Sequence, residues 1–451
     1  MRVIPSDAGS VDAGPTVLTM RWVFDDLFAV LGEKLDDHVT LTKADTIARH
    51  FWSDGTMLDL ASDPAQSRLN VESAFGARAG AEFTAFSNRA ARLFAAFDAP
   101  MMQTGKPSSV ALATAVMRDP RLLLAMAPHQ TLAQLLKSSF KNPKLRQLFG
   151  RYATYVGGSP YASPALLSLI WHAEGMGVWA VKGGMHNLAA AMANVVKAKG
   201  GAIEYGVSVT AISPNNSGIT VITSQGTFKA DAVVFNGDPR ALNQDLLGED
   251  VRAAVSISAT DPRSLSANVM AFAATPSRVD LSHHNVFFAD NSKDEFGPLA
   301  QGRDPIDPTL YVCAQDRGGN QKPTGAERFE VIMNAPPCAD TAIPNQEKAK
   351  VCTTQILERL AAFGLTFSPR PTMAALTQPA EFHALFPASL GSLYGRSPHG
   401  MTAGLKRPTA RTAIPYLYLA GGGAHPGAGV PMATLSGKHA AEAIIQDLDL
   451  I

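Results

Sequence analysis

Glycine, proline and histidine crowd one stretch near the carboxyl end, Ile414-Pro-Tyr-Leu-Tyr-Leu-Ala-Gly-Gly-Gly-Ala-His-Pro-Gly-Ala-Gly-Val-Pro-Met432. Five glycines (Gly421, Gly422, Gly423, Gly427 and Gly429) share it with His425, Pro426, Val430, Pro431 and Met432. Backbone without Cβ atoms lets N–H groups approach a ligand closely. Pro431 suits a first helical turn, where its missing N–H is no loss. A helix start also carries partial positive charge, so the stretch suits an anionic ligand. A reduced flavin, negative on its pyrimidine side, is such a ligand. A plain turn needs fewer glycines.

Other candidates are weaker alone. Asp12-Ala-Gly-Pro-Thr16 offers Gly14 and Thr16, but reads equally well as an Asx turn. Asn236, Gly237 and Asp238 end an apolar run, and ligands favour the carboxyl ends of such strands. Val209 could give only its backbone to a nucleotide base. Tyr152, Tyr155 and Tyr161 could line a substrate channel or simply pack. His186, His283, His284, His383, His399 and His439 show no ligand spacing, and Cys313, Cys338 and Cys352 form no C-x-x-C. No metal is expected, and the thiols read as free. Ser436 sits in no nucleophile elbow.

The elements that would carry these residues are α/β in pattern. Tyr416 to Ala420 is of strand length, and helical spacing follows Pro431. Met20 to Leu31 and Met185 to Lys199 read as helices; His50 to Leu60 reads as a hairpin turning at Asp54-Gly55. Residues 64–150 are helical and alanine-rich. Ala202 to Tyr205 and Val207 to Ile212 read as strands, Thr220 to Lys229 as a hairpin, and Ala232 to Phe235 as a buried strand. No G-x-G-x-x-G followed by a helix occurs, although dinucleotide folds usually open with one.

Formal net charge is zero, from 39 basic and 39 acidic residues, which argues against a nucleic-acid binder. Charged residues are 17%, below the roughly 25% usual for soluble domains, so apolar ligand or lipid contact is favoured. Residues 118–151 mix Arg118, Arg121, Lys137, Lys141, Lys144, Arg146 and Arg151 with leucine and phenylalanine. That is the composition of a segment resting on an anionic membrane, or of ordinary helices with a basic face. No apolar run is long enough to span a bilayer.

Taken together, these stretches resemble the bacterial carotenoid desaturases related to phytoene desaturase. The terminal glycine loop, Val11 to Thr19, Gly183-Gly-Met-His-Asn-Leu188 and Phe235 to Pro239 match in order and rough spacing. Ala424 departs from the pattern, where threonine is commoner. Arg49 to Gly55, Phe149 to Gly158 and Leu390 to Gly395 are most similar to the hydroxyneurosporene (1-hydroxycarotenoid 3,4-) desaturase subgroup.

The resemblance implies a Rossmann-like FAD domain (1–60, 171–243 and 408–451) interleaved with a substrate domain (61–170 and 244–407). It implies FAD as cofactor and a carotenoid as substrate. Two hydrogens leave adjacent saturated carbons, and a quinone or oxygen reoxidises the cofactor. The expected place is cytoplasmic, peripheral to the inner membrane. The first βα unit of the family pattern is missing before Met1, so the chain reads as starting about 30 residues late, the length of such a unit, and as binding FAD weakly in this form. Rival readings are an amine oxidase, a desaturase of other regiospecificity, and an inactive or lipid-binding homologue.

Overall fold

The computed structural model describes residues 2–450 apart from 216–217, 278 and 320–322. Its largest element is an eight-stranded sheet. In spatial order the strands are Phe367–Ser368, Ser266–Pro276, Glu327–Ala335, Leu310–Ala314, His284–Phe287, Thr46–Phe51 and Met57–Ala61, with Leu376–Thr377 paired to the second. The last two form the hairpin read from sequence, and Asp54 accepts the Thr56 N–H at 3.1 Å in its turn. Residues 46–61 therefore join this sheet, on the far side of the expected boundary at 60.

Register decides which side chains share a face, because successive residues of a strand point to opposite sides. Glu330 stands opposite Cys313, and Cys313 opposite His284. One step along, Tyr311 stands opposite Val286, and Val286 opposite His50. The other face carries Met270, Phe272, Phe287, Val312, Phe329 and Val331. It packs on Ala349, Cys352, Ile356 and Leu360 of the helix Gln346–Ala362.

Helices cover the first face. Ala77–Phe97 buries Phe83, Phe86, Ala90, Leu93, Phe94 and Phe97 at three- and four-residue intervals, the stripe expected of a core-facing helix. Leu132–Ser139 starts at a Thr131–Gln134 capping box, and Pro143–Gly150 starts at an Asn142 cap with Pro143 in its first turn. These two helices overturn part of the amphipathic reading of 118–151. Leu132, Leu135, Leu136, Phe140, Leu145, Leu148 and Phe149 are all core. Lys144 is bound to Asp54 and Thr56, and Arg146 donates to the Phe140 carbonyl at 2.7 Å. The exposed apolar residues lie earlier, on Ser109–Arg118 and Arg121–Met126: Val110, Met117 and Leu124 are 76%, 74% and 81% exposed.

The rest of the chain forms smaller units. Val233–Phe235 and Leu417–Leu419 pair in parallel, Val209–Asn215, Gly218–Thr223 and Gly226–Ala230 form an antiparallel meander, and Leu41–Lys43 pairs Trp179–Val181. The helices Trp22–Val30, Met185–Ala198 and Val430–Asp447 meet through Phe24, Phe28, Met185, Leu188 and Leu435. Two strand expectations shift. Residues 202–205 adopt no regular structure. Val233–Phe235 has Leu417–Leu419 as its ladder partner and leaves Val234 42% exposed, so it is not a buried strand among the described residues.

Candidate functional site

Two parallel strands end at the same edge, and their following loops meet there. Ala420 N–H donates to the Phe235 carbonyl at 3.1 Å. Beyond it, Gly421 turns at φ +101°, a conformation glycine adopts without strain, and the Asn236 side chain lies where a Cβ would be. Gly423 sits against the Pro239 ring. Gly421 N–H donates to Ser436 Oγ at 2.7 Å, and Arg407 donates from Nη1 to the Gly422 carbonyl at 2.8 Å. The glycine loop is thus tied to both flanking elements. It ends at Gly429, φ +108°, which precedes the long helix Val430–Asp447. Among the described residues, and apart from Gly429's own chain neighbours, nothing lies within 4 Å of where a Gly429 Cβ would stand. Val430 and Met432 lie in the first helical turn, whose N–H groups have no partner within the helix. Pro431 occupies the first turn and has none to leave unpaired.

The structure gives some expected residues other tasks. Asp238 pairs with Arg263 and accepts the Arg240 N–H at 3.0 Å, so its carboxylate is committed to the protein. The His425 imidazole, 5% exposed, bonds the Thr104 carbonyl at 3.0 Å and stacks on His439; burial holds it down at about 4. Only the backbone of His425–Pro426 is left for a ligand. Gly237 lies against the Phe235 ring. Val209 starts an antiparallel strand opposite Thr223 and is 44% exposed.

Asp12 joins the site to the fold. Its carboxylate accepts the Met185 N–H at 2.5 Å and the His186 N–H at 3.2 Å, capping the helix Met185–Ala198. Gly184, at φ +110°, makes room: a Cβ there would collide with that carboxylate. Burial raises the Asp12 carboxyl, and the two N–H bonds pull it down. Gly14 follows with open space around it. Thr16 Oγ1 shares a hydrogen bond with the Tyr311 hydroxyl at 2.8 Å, and that hydroxyl also meets His284 Nδ1 at 2.6 Å.

Tyr155, Tyr311 and Tyr394 are each half-buried. Burial pushes all three phenols up, Tyr394 to about 12, and they are neutral. Tyr394 adjoins the glycine loop: a Cβ on Gly395 would stand 3.0 Å from Gly423 Cα, and Arg407 Nη2 donates to the Tyr394 carbonyl at 2.6 Å. Glu330, on the sheet face of Tyr311 and Cys313, is fully buried. Both carboxyl oxygens lack a well-formed hydrogen bond, the Gly14 N–H lies beside them, and burial raises the group well above the carboxylate range. Of the three expected tyrosines, Tyr155 is half-buried. Tyr152 is sealed between Phe149, Tyr155 and Trp171. Tyr161 is 43% exposed, bonded to Ser292 Oγ at 2.7 Å.

Tyr311, Tyr394, Glu330, His284 and Arg151 were not singled out as site residues. Arg151 and Tyr394 lie in stretches that carried the resemblance, and a glutamate inside the apolar strand Glu327–Ala335 is itself a signal. Likewise the fold assembles His283, His284 and Cys313, whose ligand atoms lie within 4.8 Å of one another, a grouping their spacing did not suggest. His283 Nδ1 meets the Ala314 carbonyl at 3.0 Å. Cys313 and Cys352 are buried free thiols, Cys338 a half-buried one.

The glycine loop before a long helix, with open space at Gly429 and at Gly14, suits a flat anionic ring and its electron chemistry. Comparison with known proteins agrees. The family described as flavin-containing amine oxidoreductase matches residues 1–445, and the chain belongs to that family. It is an oxidoreductase with FAD as cofactor. The chain is 53% identical over 451 residues to a hydroxyneurosporene desaturase of Cereibacter sphaeroides, across 99% of this chain and 90% of the relative. It is 47% identical to one of Rhodobacter capsulatus with the same coverage. The fold is that of cyclohexylamine oxidase from Brevibacterium oxydans, at TM-score 0.53 and 16% identity, over 98% of this chain and 89% of that one. Gly14 and Gly429, each with open space where a Cβ would stand, and the first helical turn after Gly429 are the residues whose placement suits the cofactor.

Proposed function

We propose that this protein desaturates a carotenoid bearing a hydroxyl on carbon 1, removing hydrogens from carbons 3 and 4. The observation that carries the reading is the group of half-buried tyrosines, Tyr155, Tyr311 and Tyr394, with Tyr394 beside the glycine loop; in this reading they line the cleft that the substrate enters. Full-length identity to hydroxyneurosporene desaturases supports the choice of substrate. FAD, when bound, accepts a hydride. The chain supplies what a polyene needs: a water-poor cleft, neutral phenols that cannot quench developing positive charge, and fixed orientation. Gly14, Thr16, Asn236 and the loop Gly421 to Met432 hold the cofactor, and Tyr155 contacts the substrate.

The peripheral membrane contact is Val110, Met117 and Leu124, with Arg92 and Arg121 beside Leu124 on one surface. Exposed apolar side chains rimmed by cations suit an anionic bilayer from which carotenoid is drawn. No helix among the described residues is long and apolar enough to cross a membrane. A membrane quinone then suits the role of electron acceptor, with oxygen the other class.

The test is incubation of flavin-loaded protein and 1-hydroxyneurosporene in liposomes, with products separated by chromatography. A product two hydrogens lighter with a longer absorption maximum is expected. Unchanged 1-hydroxyneurosporene alongside converted phytoene would overturn the reading in favour of another regiospecificity.

A further inference from the structure

We propose that a cavity between the helices Ala77–Phe97 and Arg121–Met126 receives the phosphate of an anionic phospholipid; this rests on the membrane contact put forward above. The cavity, about 490 Å³, is lined by Asn88, Arg89 and Arg92 from the first helix and by Arg121, Leu124 and Ala125 from the second. Arg89 and Arg92 stand three residues apart, and Arg121 stands three before Leu124 and four before Ala125, so each set shares one helix face. None of the lining residues is acidic. Arg89 is half-buried, and its Nε and Nη2 both donate to one neutral acceptor, the Ala125 carbonyl, Nε at 2.8 Å. That fork ties down the end of the short helix but leaves the guanidinium charge without a carboxylate. Burial pulls Arg89 down to about 10. Arg92 and Arg121 are exposed, and among the described residues neither guanidinium pairs with a carboxylate. Asp119, two residues before Arg121, accepts the Arg121 backbone N–H at 3.1 Å.

Three like charges around one cavity repel one another, and a bound anion relieves them. A guanidinium presents a planar fork of donors that matches phosphate oxygens, and the Asn88 amide can add another donor. Leu124 decides which phosphate. It lines the same cavity and is exposed. A free inorganic anion offers nothing to a leucine, whereas a phospholipid carries its acyl chains next to its phosphate. The neighbouring helix Ser109–Arg118 packs on Leu122 and Ala125 through Leu112, Ala115 and Val116, and it exposes Val110 and Met117. Apolar side chains therefore stand out from both helices beside the three arginines, as insertion next to a bound headgroup requires.

The test is flotation of the flavin-loaded full chain with phosphatidylcholine vesicles carrying either phosphatidylglycerol or oleate, matched in surface potential. The first supplies its negative charge as phosphate, the second as carboxylate. Wild type is expected to bind the phosphatidylglycerol vesicles about tenfold more tightly, as hydrogen bonds to a charged group allow. Arg92→Gln and Arg121→Gln change exposed side chains and keep the fold, which circular dichroism checks; each is expected to cut that preference to about twofold or less. Arg118→Gln removes an exposed charge outside the cavity and is expected to weaken both vesicles alike, with the preference kept. No preference in wild type, or an equal loss of it in Arg118→Gln, makes the attraction diffuse and overturns the site. Calorimetric binding of inorganic phosphate without any preference between the vesicles makes it a site for a soluble anion and overturns the lipid. A wild type that floats with neither vesicle fails earlier, at the membrane contact itself. One that floats with both alike, and loses both on Met117→Asp, keeps the contact and overturns the cavity alone.

Discussion

Two faces of one sheet differ in kind. On the side of the helix Gln346–Ala362, Met270, Phe287, Leu310, Val312, Phe329 and Val331 are shut away with other apolar groups. On the opposite side, the same strands present His50, His284, Tyr311, Cys313 and Glu330, just as deeply surrounded. Neighbours along a strand, such as Phe329 and Glu330, therefore live in opposite environments. The first face is packed for stability. The second keeps polar groups that would be better solvated in water, and it is the one that faces Thr16, Gly14 and the cleft. Where buried ionisable groups collect on one side of an otherwise apolar sheet, that side holds the site.

The comparison breaks most readily at position 329. Phe329→Ala leaves a cavity in the dry face and is expected to cost about 3–5 kcal/mol, read as a lower urea midpoint, with the cleft geometry and product identity unchanged. If Phe329→Ala instead changes the product and spares stability, the assignment of faces is wrong.

Glu330→Gln probes the other side, with an effect set by pH. The Glu330 carboxyl is raised well above its ordinary 4.5, so the folded chain keeps a proton that the unfolded chain releases. Its contribution to stability is full below 4.5 and is lost as pH rises towards the folded value. Glutamine has no proton to keep, so the variant gains on wild type as pH rises above 4.5. His50 gives the mirror image, because burial holds it at about 3 against an ordinary 6.5. Its neutral form contributes fully above 6.5 and loses ground as pH falls, so His50→Gln closes on wild type between pH 6.5 and 5. Thermal melts across pH 5–8 check both; parallel curves would show that neither group is held in the dry state described.

Gly429→Ala acts on the cradle, away from either face. At φ +108° an alanine is strained by roughly 1–2 kcal/mol. Its methyl group projects into the space assigned to the cofactor, so bound flavin per chain is expected to fall more than the melting temperature does. Flavin absorbance at constant protein measures it, and full flavin content would move the cradle elsewhere.

The smallest effect on stability belongs to the outer surface. Leu124→Asp is expected to change stability by less than about 0.5 kcal/mol and to weaken sedimentation with anionic liposomes severalfold. Undiminished binding would place the membrane contact off this surface.

The hairpin turning at Asp54-Gly55, the helices after Met185 and Val430, and the glycine cradle were all legible locally, because turn chemistry, spacing and caps involve residues a few positions apart. Ala202 to Tyr205 shows the limit of that reading: an apolar run becomes a strand only if a ladder partner is at hand. The segment 118–151 shows another. Its leucines and phenylalanines have helical spacing whether the apolar stripe meets lipid or Phe83 and Phe86, and only the packing assigned most of them to the core. His425 and Asp238 stand out in sequence beside glycines, but their side chains are taken by Thr104 and Arg263, partners remote in sequence.

By itself, the order of residues determined the glycine loop, since φ above zero and close backbone approach favour glycine. The tertiary structure alone decided which ionisable groups share a face. His50, His284, Cys313, Tyr311 and Glu330 come from four strands, and strand pairing rather than chain proximity brings them to Thr16 and Arg151. A side chain's desolvation depends on everything packed around it, and that sum exists only once distant segments have met.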